Sequence, residues 1–354
     1  MKERKNMALD YTVKYASKIA NRFKLASKTN RAAGHEYEFT GAKSVKIYSM
    51  VPAELTDYQR GGKRYGDVTD LEYTTQEMLC TQAKAFTKHL EALDGSDIAV
   101  ETAAGKFLRM EIDERVVPMM DKYRLKKWCM GAATLKQMTA APTKSTIVGD
   151  IMDLKGKMGD NLVPDTGLTL YISTTYFVLL KQADAIVGLE GMGTKAVKDG
   201  SVGTFDGMNV VPVPSSWLPN GVYFMIKAKG TSADPVKLTQ YDVIKKSVGY
   251  SGPVVQGLVY YDAFVIGSKN VGIGVAGAKS AVLDAPSISV TSHAASITAA
   301  TGVTFRYTLD GTDPRCSSTA ETYSSAVTLA EGQTMRAVGT KDGCVGIEAT
   351  QDYE

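Results

Sequence analysis

Val259-Tyr260-Tyr261-Asp262-Ala263-Phe264-Val265-Ile266-Gly267-Ser268-Lys269-Asn270-Val271-Gly272-Ile273-Gly274-Val275 is the stretch on which the reading of this 354-residue chain turns. It reads as a strand running into glycines. Gly272, Gly274 and Gly277 also spell Gly-x-Gly-x-x-Gly. A dinucleotide site needs a helix to open there and an acidic residue about 20 positions on. The chain continues instead as Ala-Lys-Ser-Ala-Val-Leu-Asp-Ala-Pro, a linker, so that reading fails. Far upstream lies Val116-Val117-Pro118-Met119-Met120-Asp121-Lys122-Tyr123-Arg124. It closes a long helix expected over 97–117, where Ala104, Leu108, Ile112, Val116 and Met120 lie four apart beside Phe107. Pro118 is expected to end or kink that helix.

The two stretches carry a resemblance. Tyr260, Tyr261, Asp262, Phe264 and Lys269 follow the run "YYDAFVL-x-x-K-x-x-GI" that closes the shell domain of tailed-bacteriophage major capsid proteins. Pro118, Asp121, Tyr123 and Arg124 are similar to the same family's "VVPE-x-D-x-YR" at the end of its spine helix. The resemblance implies an α+β capsid fold. Its parts would be an N-terminal arm (1–40) and a shell domain (41–280). Within the shell domain it implies an extended β loop (43–93), a spine helix (97–130), an axial region (145–250) and a last peripheral strand (258–275). It implies a structural protein rather than an enzyme. Pentamers and hexamers would interlock into an icosahedral head around packaged double-stranded DNA, assembled in the host cytoplasm and ending in the virion. A portal is an implied partner. About 40 residues precede the extended loop, so a separate scaffolding protein is expected in place of a long removable N-terminal segment. A cellular nanocompartment built on the same shell fold is the alternative.

Charge distribution agrees with an arm. Through Arg31 there are nine Lys and Arg against Glu3 and Asp10, while the whole chain is only +3. Leu9, Val13, Ala16, Ala20 and Phe23 recur at three- and four-residue steps, with Lys14, Lys18 and Arg22 on another face. Leu9, Val13 and Phe23 need an apolar partner, so contact with a neighbouring subunit ranks above non-specific phosphate binding by the basic stripe. Ser44–Val51 and Leu71–Thr81 are strand candidates around a polar, Gly-rich tip that holds Arg60, Lys63 and Arg64. An isolated two-stranded ribbon is marginal, and the resemblance lays it over an adjacent subunit.

Beyond 142 the signals mix. Ser145–Met158 and Thr174–Gln182 are helical, and Leu168–Ser173, Met208–Val213 and Val222–Lys227 are strands. Mixed elements without strict alternation favour α+β over a doubly wound sheet. A composition break over 276–286 precedes about 70 residues of short Thr/Ser/Val-rich runs, the signature of a small β-sandwich over 285–354. Tyr307, Asp310, Gly311, Asp313, Pro314 and Tyr323 give this tail a second resemblance, to the immunoglobulin-like module that ends chitobiase-type hexosaminidases. That module is an accessory without catalytic residues. The resemblance implies an outward decoration domain, with host-surface glycans as a weak partner. Asp310-Gly311 is expected to supply the positive φ angles of a hairpin turn.

Catalysis finds little support. There are three histidines, and His35-Glu36 opens a zinc-protease motif that Phe39 breaks. Glu111, Asp113 and Glu114 sit among Arg109 and Arg115 as a charge-paired helix face. Asp310 and Asp313 lack the further carboxylates that calcium requires. No metal, cofactor or membrane partner is expected. Four cysteines make no disulfide scaffold; Cys316 and Cys344 could pair, but reduced thiols are expected. Lys63 and Asn270 are of the residue types that cross-link some phage capsids, without a matching motif. A secreted carbohydrate-binding protein is the rival built on the tail alone. It is weakened by the lack of a signal-peptide pattern in the first thirty residues.

Overall fold

The computed structural model describes residues 27–34, 44–50, 57–58, 60, 70, 73–89, 105, 107–183, 203–244, 249, 253–298 and 300–353. Leu9, Val13, Lys14, Lys18, Arg22, Phe23, Lys63 and Arg64, singled out above, lie outside them.

β1 (Ser44–Met50) and β2 (Tyr73–Leu79) form an antiparallel ribbon, Ser44 opposite Leu79 and Met50 opposite Tyr73. The ribbon stops there. β3 (Gln82–His89) turns away to pair with β11 in another sheet, so the excursion expected over 43–93 is shorter than the sequence suggested. The turn is enforced by Asp262, whose carboxylate accepts the Thr81 amide (2.8 Å) and hydroxyl (3.0 Å).

The long helix runs from 107 to 131 among the described residues, as 107–111, a π turn over Ile112–Val116, and α1 (Val117–Gly131). Pro118 therefore does not end it. A proline ring crowds the carbonyl four residues back and offers no N–H. The chain answers by widening just before it: the Val117 amide reaches Ile112 O, five residues back, and the helix continues.

Past β4 (Thr134–Met138) come α2 (Ile147–Asp160), β5 (Thr169–Ser173), α3 (Thr174–Gln182), β6 (Gly203–Phe205), β7 (Met208–Val213) and β8 (Val222–Lys227). Then come β9 (Ser232–Ala233), β10 (Val236–Ile244), β11 (Val254–Tyr261), β12 (Phe264–Val265) and β13 (Ile273–Ala278). A six-stranded sheet has the order β4-β13-β8-β5-β7-β6, and a three-stranded one the order β10-β11-β3. Both faces of the large sheet are covered, which is why its strands read as continuous apolar runs. Leu170, Ile172, Val210, Phe224 and Ile226 pack under α2 and α3, while Tyr171, Val211, Val213 and Met225 face α1. The small sheet packs on the 107–120 stretch of the helix through Tyr241, Val255, Val259 and Tyr261. Gly257 is required there, because a Cβ would sit 2.4 Å from the Phe86 ring lying across it.

The single strand expected over 258–275 is instead three pieces. β11 belongs to the small sheet and β13 to the middle of the large one, with β12 and a 3₁₀ turn (Gly267–Gly272) between them. Asp262 breaks the run by accepting the Ala263 amide at 2.8 Å.

The tail is all β: β14 (Val282–Leu283), β15 (Ile288–Thr291), β16 (Ala294–Ile297), β17 (Thr304–Thr308), β18 (Glu321–Thr322), β19 (Val327–Thr328), β20 (Thr334–Lys341), β21 (Cys344–Gly346) and β22 (Ala349–Asp352). One sheet has the order β14-β21-β20-β17-β18 with β22 also on β20; the other is β15-β16-β19. Ala295, Phe305, Tyr307, Leu329, Met335 and Ala337 fill the space between them. Asp310-Gly311 is not a tight hairpin. Gly311 alone takes a positive φ, +74°, within the long loop joining β17 to β18. Asp310 folds that loop on itself by accepting the Thr312 and Thr319 hydroxyls.

Candidate functional site

α1 presents two rows of polar side chains. Asp121, Arg124, Lys227 and Asp234 are each no more than 1% exposed. Two acids and two bases buried together are electrically balanced, and each must be bonded to survive out of water. What they hold is a backbone segment, 27–34. The Asp121 carboxylate accepts Ser27 Oγ (2.5 Å), the Lys28 amide (2.8 Å) and Thr29 Oγ1 (2.6 Å). Arg124 Nη1 donates to Thr29 Oγ1 at 3.1 Å. Asp234 accepts the Gly34 amide (3.0 Å), Ser232 Oγ (2.5 Å) and Trp128 Nε1 (2.9 Å). Lys227 Nζ donates to Ala32 O and lies 4.5 Å from the centre of the Trp128 ring. Burial pushes its ammonium down to about 8, with Asp234 opposing the shift. Gly34 is obligatory, since a Cβ would lie 1.6 Å from Ser232 O. The segment at the end of the basic N-terminal stretch is thus fastened into the body by its backbone at Lys28, Ala32 and Gly34 and by the Ser27 and Thr29 hydroxyls.

The second row faces the ribbon. Tyr123 OH donates to Asp262 at 2.8 Å, and its ring meets Tyr261 edge-on at 5.4 Å. Burial first, then the bond to Asp262, pushes its phenol well above the ordinary range. Tyr260 OH donates to Cys80 O at 2.6 Å. Tyr123 thus meets Tyr261 and Asp262, while Asp121 and Arg124 on the other row hold residues 27–29, and the two motifs between them fasten the 27–34 segment and the foot of the ribbon. Phe264 joins the small cluster under the ribbon, Pro118 lies half-buried at the π turn, and Lys269 is exposed, outside the cluster. Asp234, Lys227 and Trp128 were not singled out from sequence; Lys227 ending the apolar run Val222–Lys227 was the available signal.

The ribbon has two unlike faces. Ile47 and Met78 are buried with Cys80, Ala233 and Ile266. Tyr48, Met50 and Leu79 are 64, 70 and 53% exposed. Arg60, in the tip, is also exposed.

In the tail, Tyr307 OH donates to Glu321 (2.7 Å), and Tyr323 OH accepts the Ile297 amide (3.1 Å). Asp313 binds Arg315 (2.9 Å) and the Asn270 amide (2.6 Å), and Pro314 is buried. Asn270 is thus held in a buried bond. No disulfide joins the four cysteines; burial pushes the Cys316 thiol up to about 12. Among the described residues no three His, Cys, Asp or Glu side chains gather as metal ligands, and no helix is long and apolar enough to cross a membrane.

A family model for the chitobiase/beta-hexosaminidase C-terminal domain matches residues 286–350. No curated protein matches the chain in sequence. Among solved structures it is similar to one from Mycobacterium phage Che8, at 17% identity and TM-score 0.53, covering 70% of this chain and 90% of that one. It is also similar to the capsid of the cyanophage P-SCSP1u, at 12% identity and TM-score 0.53, covering 67% of this chain and 84% of that one. A third similarity is to the mature capsid of bacteriophage PhiM1, at 10% identity and TM-score 0.52, covering 68% and 84%. The chain has the fold of phage capsid proteins, mixed α and β, and carries a hexosaminidase-type C-terminal module.

Proposed function

We propose that this chain is the major shell protein of a phage head, a structural protein that makes and breaks no bonds. The observation that carries the reading is the shared capsid fold together with the two motifs, which between them fasten residues 27–34 and the foot of the ribbon to the body. Shell subunits need such fastened extensions, because a closed shell rests on many modest contacts acting together. The exposed Tyr48, Met50 and Leu79 face supplies the ribbon's contact with a neighbouring copy. The basic N-terminal stretch meets a neighbour first and packaged DNA second, through sequence-independent phosphate contacts. Pentamers and hexamers, a scaffolding protein and a portal complete the reading, with the tail module as decoration and glycans as its ligand. Residues 1–40, 41–280 and 285–354 are its arm, shell and module.

Sedimentation velocity tests this. The wild-type chain, expressed with its scaffolding protein, runs as large particles. Tyr48→Asp with Met50→Asp leaves a folded, slowly sedimenting subunit. Particles that form unchanged from the double variant would remove the ribbon from the interface.

A further inference from the structure

The tail module does not hang from a linker. β14 pairs in parallel with β21 inside the module's sheet, and Cys344 is buried in the same core as Trp128, Leu125 and Val275. Its loop between β17 and β18 reaches the ribbon root. Gln76, on β2, is the junction. Its Nε2 donates to Val265 O of the body (2.9 Å) and to Cys316 O of the module (3.0 Å), and its Oε1 accepts the Gly267 amide (2.9 Å). Both donors and the acceptor of one side chain are used, spanning three parts of the chain.

The module end of this junction is stiff. Arg315, its side chain 2% exposed, bridges Asp313 (2.9 Å) and Glu348 (2.8 Å) and donates to Gly346 O (3.2 Å). Asp313 is tied to the 3₁₀ turn through Asn270 Nδ2 at 2.6 Å, and Asn270 is 4% exposed. A buried, paired charge of this kind resists displacement, because separating it leaves an uncompensated ion. Among the described residues the ribbon also meets the body through the apolar Ile47 and Met78 cluster, an exposed Ser49–Ser268 hydroxyl pair at 3.1 Å, and, just past β2, the bonds of Asp262 to Thr81 and of Tyr260 to Cys80. Apolar contact is non-directional. Direction comes from hydrogen bonds: Asp262 and Tyr260 hold the chain just past β2 at Thr81 and Cys80, and Gln76 is the ribbon side chain whose bonds reach the body and the module together.

We propose that the module's 309–320 loop is a clamp that fixes the angle at which the β1–β2 ribbon leaves the body, and with it the geometry in which a second copy is engaged. The consequence for assembly rests on the shell reading; the clamp itself does not. Tyr73, at the far end of β2, lies three residues beyond Gln76, about 10 Å, so a swing of about 10° there moves it by roughly 2 Å. That displacement is enough to break a packed contact with a neighbour.

Hydrogen exchange on the unassembled full-length subunit tests the clamp. Gln76→Glu keeps the side chain's shape but turns an oxygen toward two carbonyls. Asn270→Ala releases the loop from the other side without touching the ribbon. Both are expected to speed exchange across 73–79 by about tenfold while the module strand 334–341 keeps its protection. Unchanged exchange at 73–79 in folded Gln76→Glu and Asn270→Ala subunits overturns the clamp. Electron microscopy of assembled Gln76→Glu then reads the geometry. Particles of mixed size are expected, and a population as uniform as wild type alongside faster exchange overturns the link to assembly. Failure of the wild type to form any particle counts against the shell reading, and the exchange result decides the clamp in either case.

Discussion

Asp121→Ala is the sharpest perturbation of the arm root. It removes an acceptor of three hydrogen bonds, at 2.5, 2.8 and 2.6 Å, from a site that is 1% exposed. Bonds to an ionised group are worth about 1.5–3 kcal/mol each. Their sum is too large an estimate, since a released segment regains water and freedom. Arg124 sets the other bound. It donates to the Thr29 hydroxyl that in turn donates to Asp121, without a direct ion pair, and a buried charge left without its counter-charge costs about 3–5 kcal/mol. The expected loss is therefore about 3–5 kcal/mol by urea denaturation of the subunit, a large part of a typical 5–15 kcal/mol. Where detachment of 27–34 is cheaper than global unfolding, the loss appears locally: the Lys28 amide loses protection while 222–227 keeps it. Arg124→Met on the Asp121→Ala background should cost less than the two changes summed, by about 0.5–3 kcal/mol. A loss under about 1 kcal/mol with the Lys28 amide still protected would refute the reasoning.

The same geometry sets three further outcomes. Lys227 is held down to about 8 against an ordinary 10.5, so between those values the unfolded chain binds the extra proton and this residue's contribution to stability rises with pH; comparing wild type with Lys227→Met at pH 7.5 and 9.5 in urea should show that rise in the difference between the two proteins, and no difference in slope would count against it. Gly34→Ala forces a Cβ to 1.6 Å from Ser232 O and should free 27–34 to protease while 222–227 remains protected; an undigested segment contradicts the fit. Arg315→Met leaves the nearly buried Asp313 without its cation, while Glu348 keeps Arg336, and should lower the module's stability by about 3 kcal/mol, read by thermal melting, whereas an unchanged melt would show the bridge to be dispensable.

Local elements were largely legible. Thr174–Gln182, Met208–Val213 and Val222–Lys227 are a helix and two strands with the ends the sequence implied, because caps, prolines and apolar runs are local signals. Pro118 misleads because a proline's effect depends on whether the preceding turn can widen, and that is decided by packing. The stretch 258–275 misleads because composition reports strand character without saying that two sheets share it. The motif residues stood out, yet their work did not. Asp121 bonds across more than ninety positions, and Trp128 meets Asp234 across 106. Nothing local in Ser27-Lys28-Thr29 marks a backbone destined for burial, so the segment was absorbed into the arm.

Negative-stain electron microscopy of the purified chain, expressed alone and with the proposed scaffolding protein, tests the central claim most directly. The account predicts closed shells or curved sheets of uniform size. A well-behaved monomer under both conditions, retained on chitin beads through its tail, would contradict it and leave a carbohydrate-binding protein built on a capsid fold.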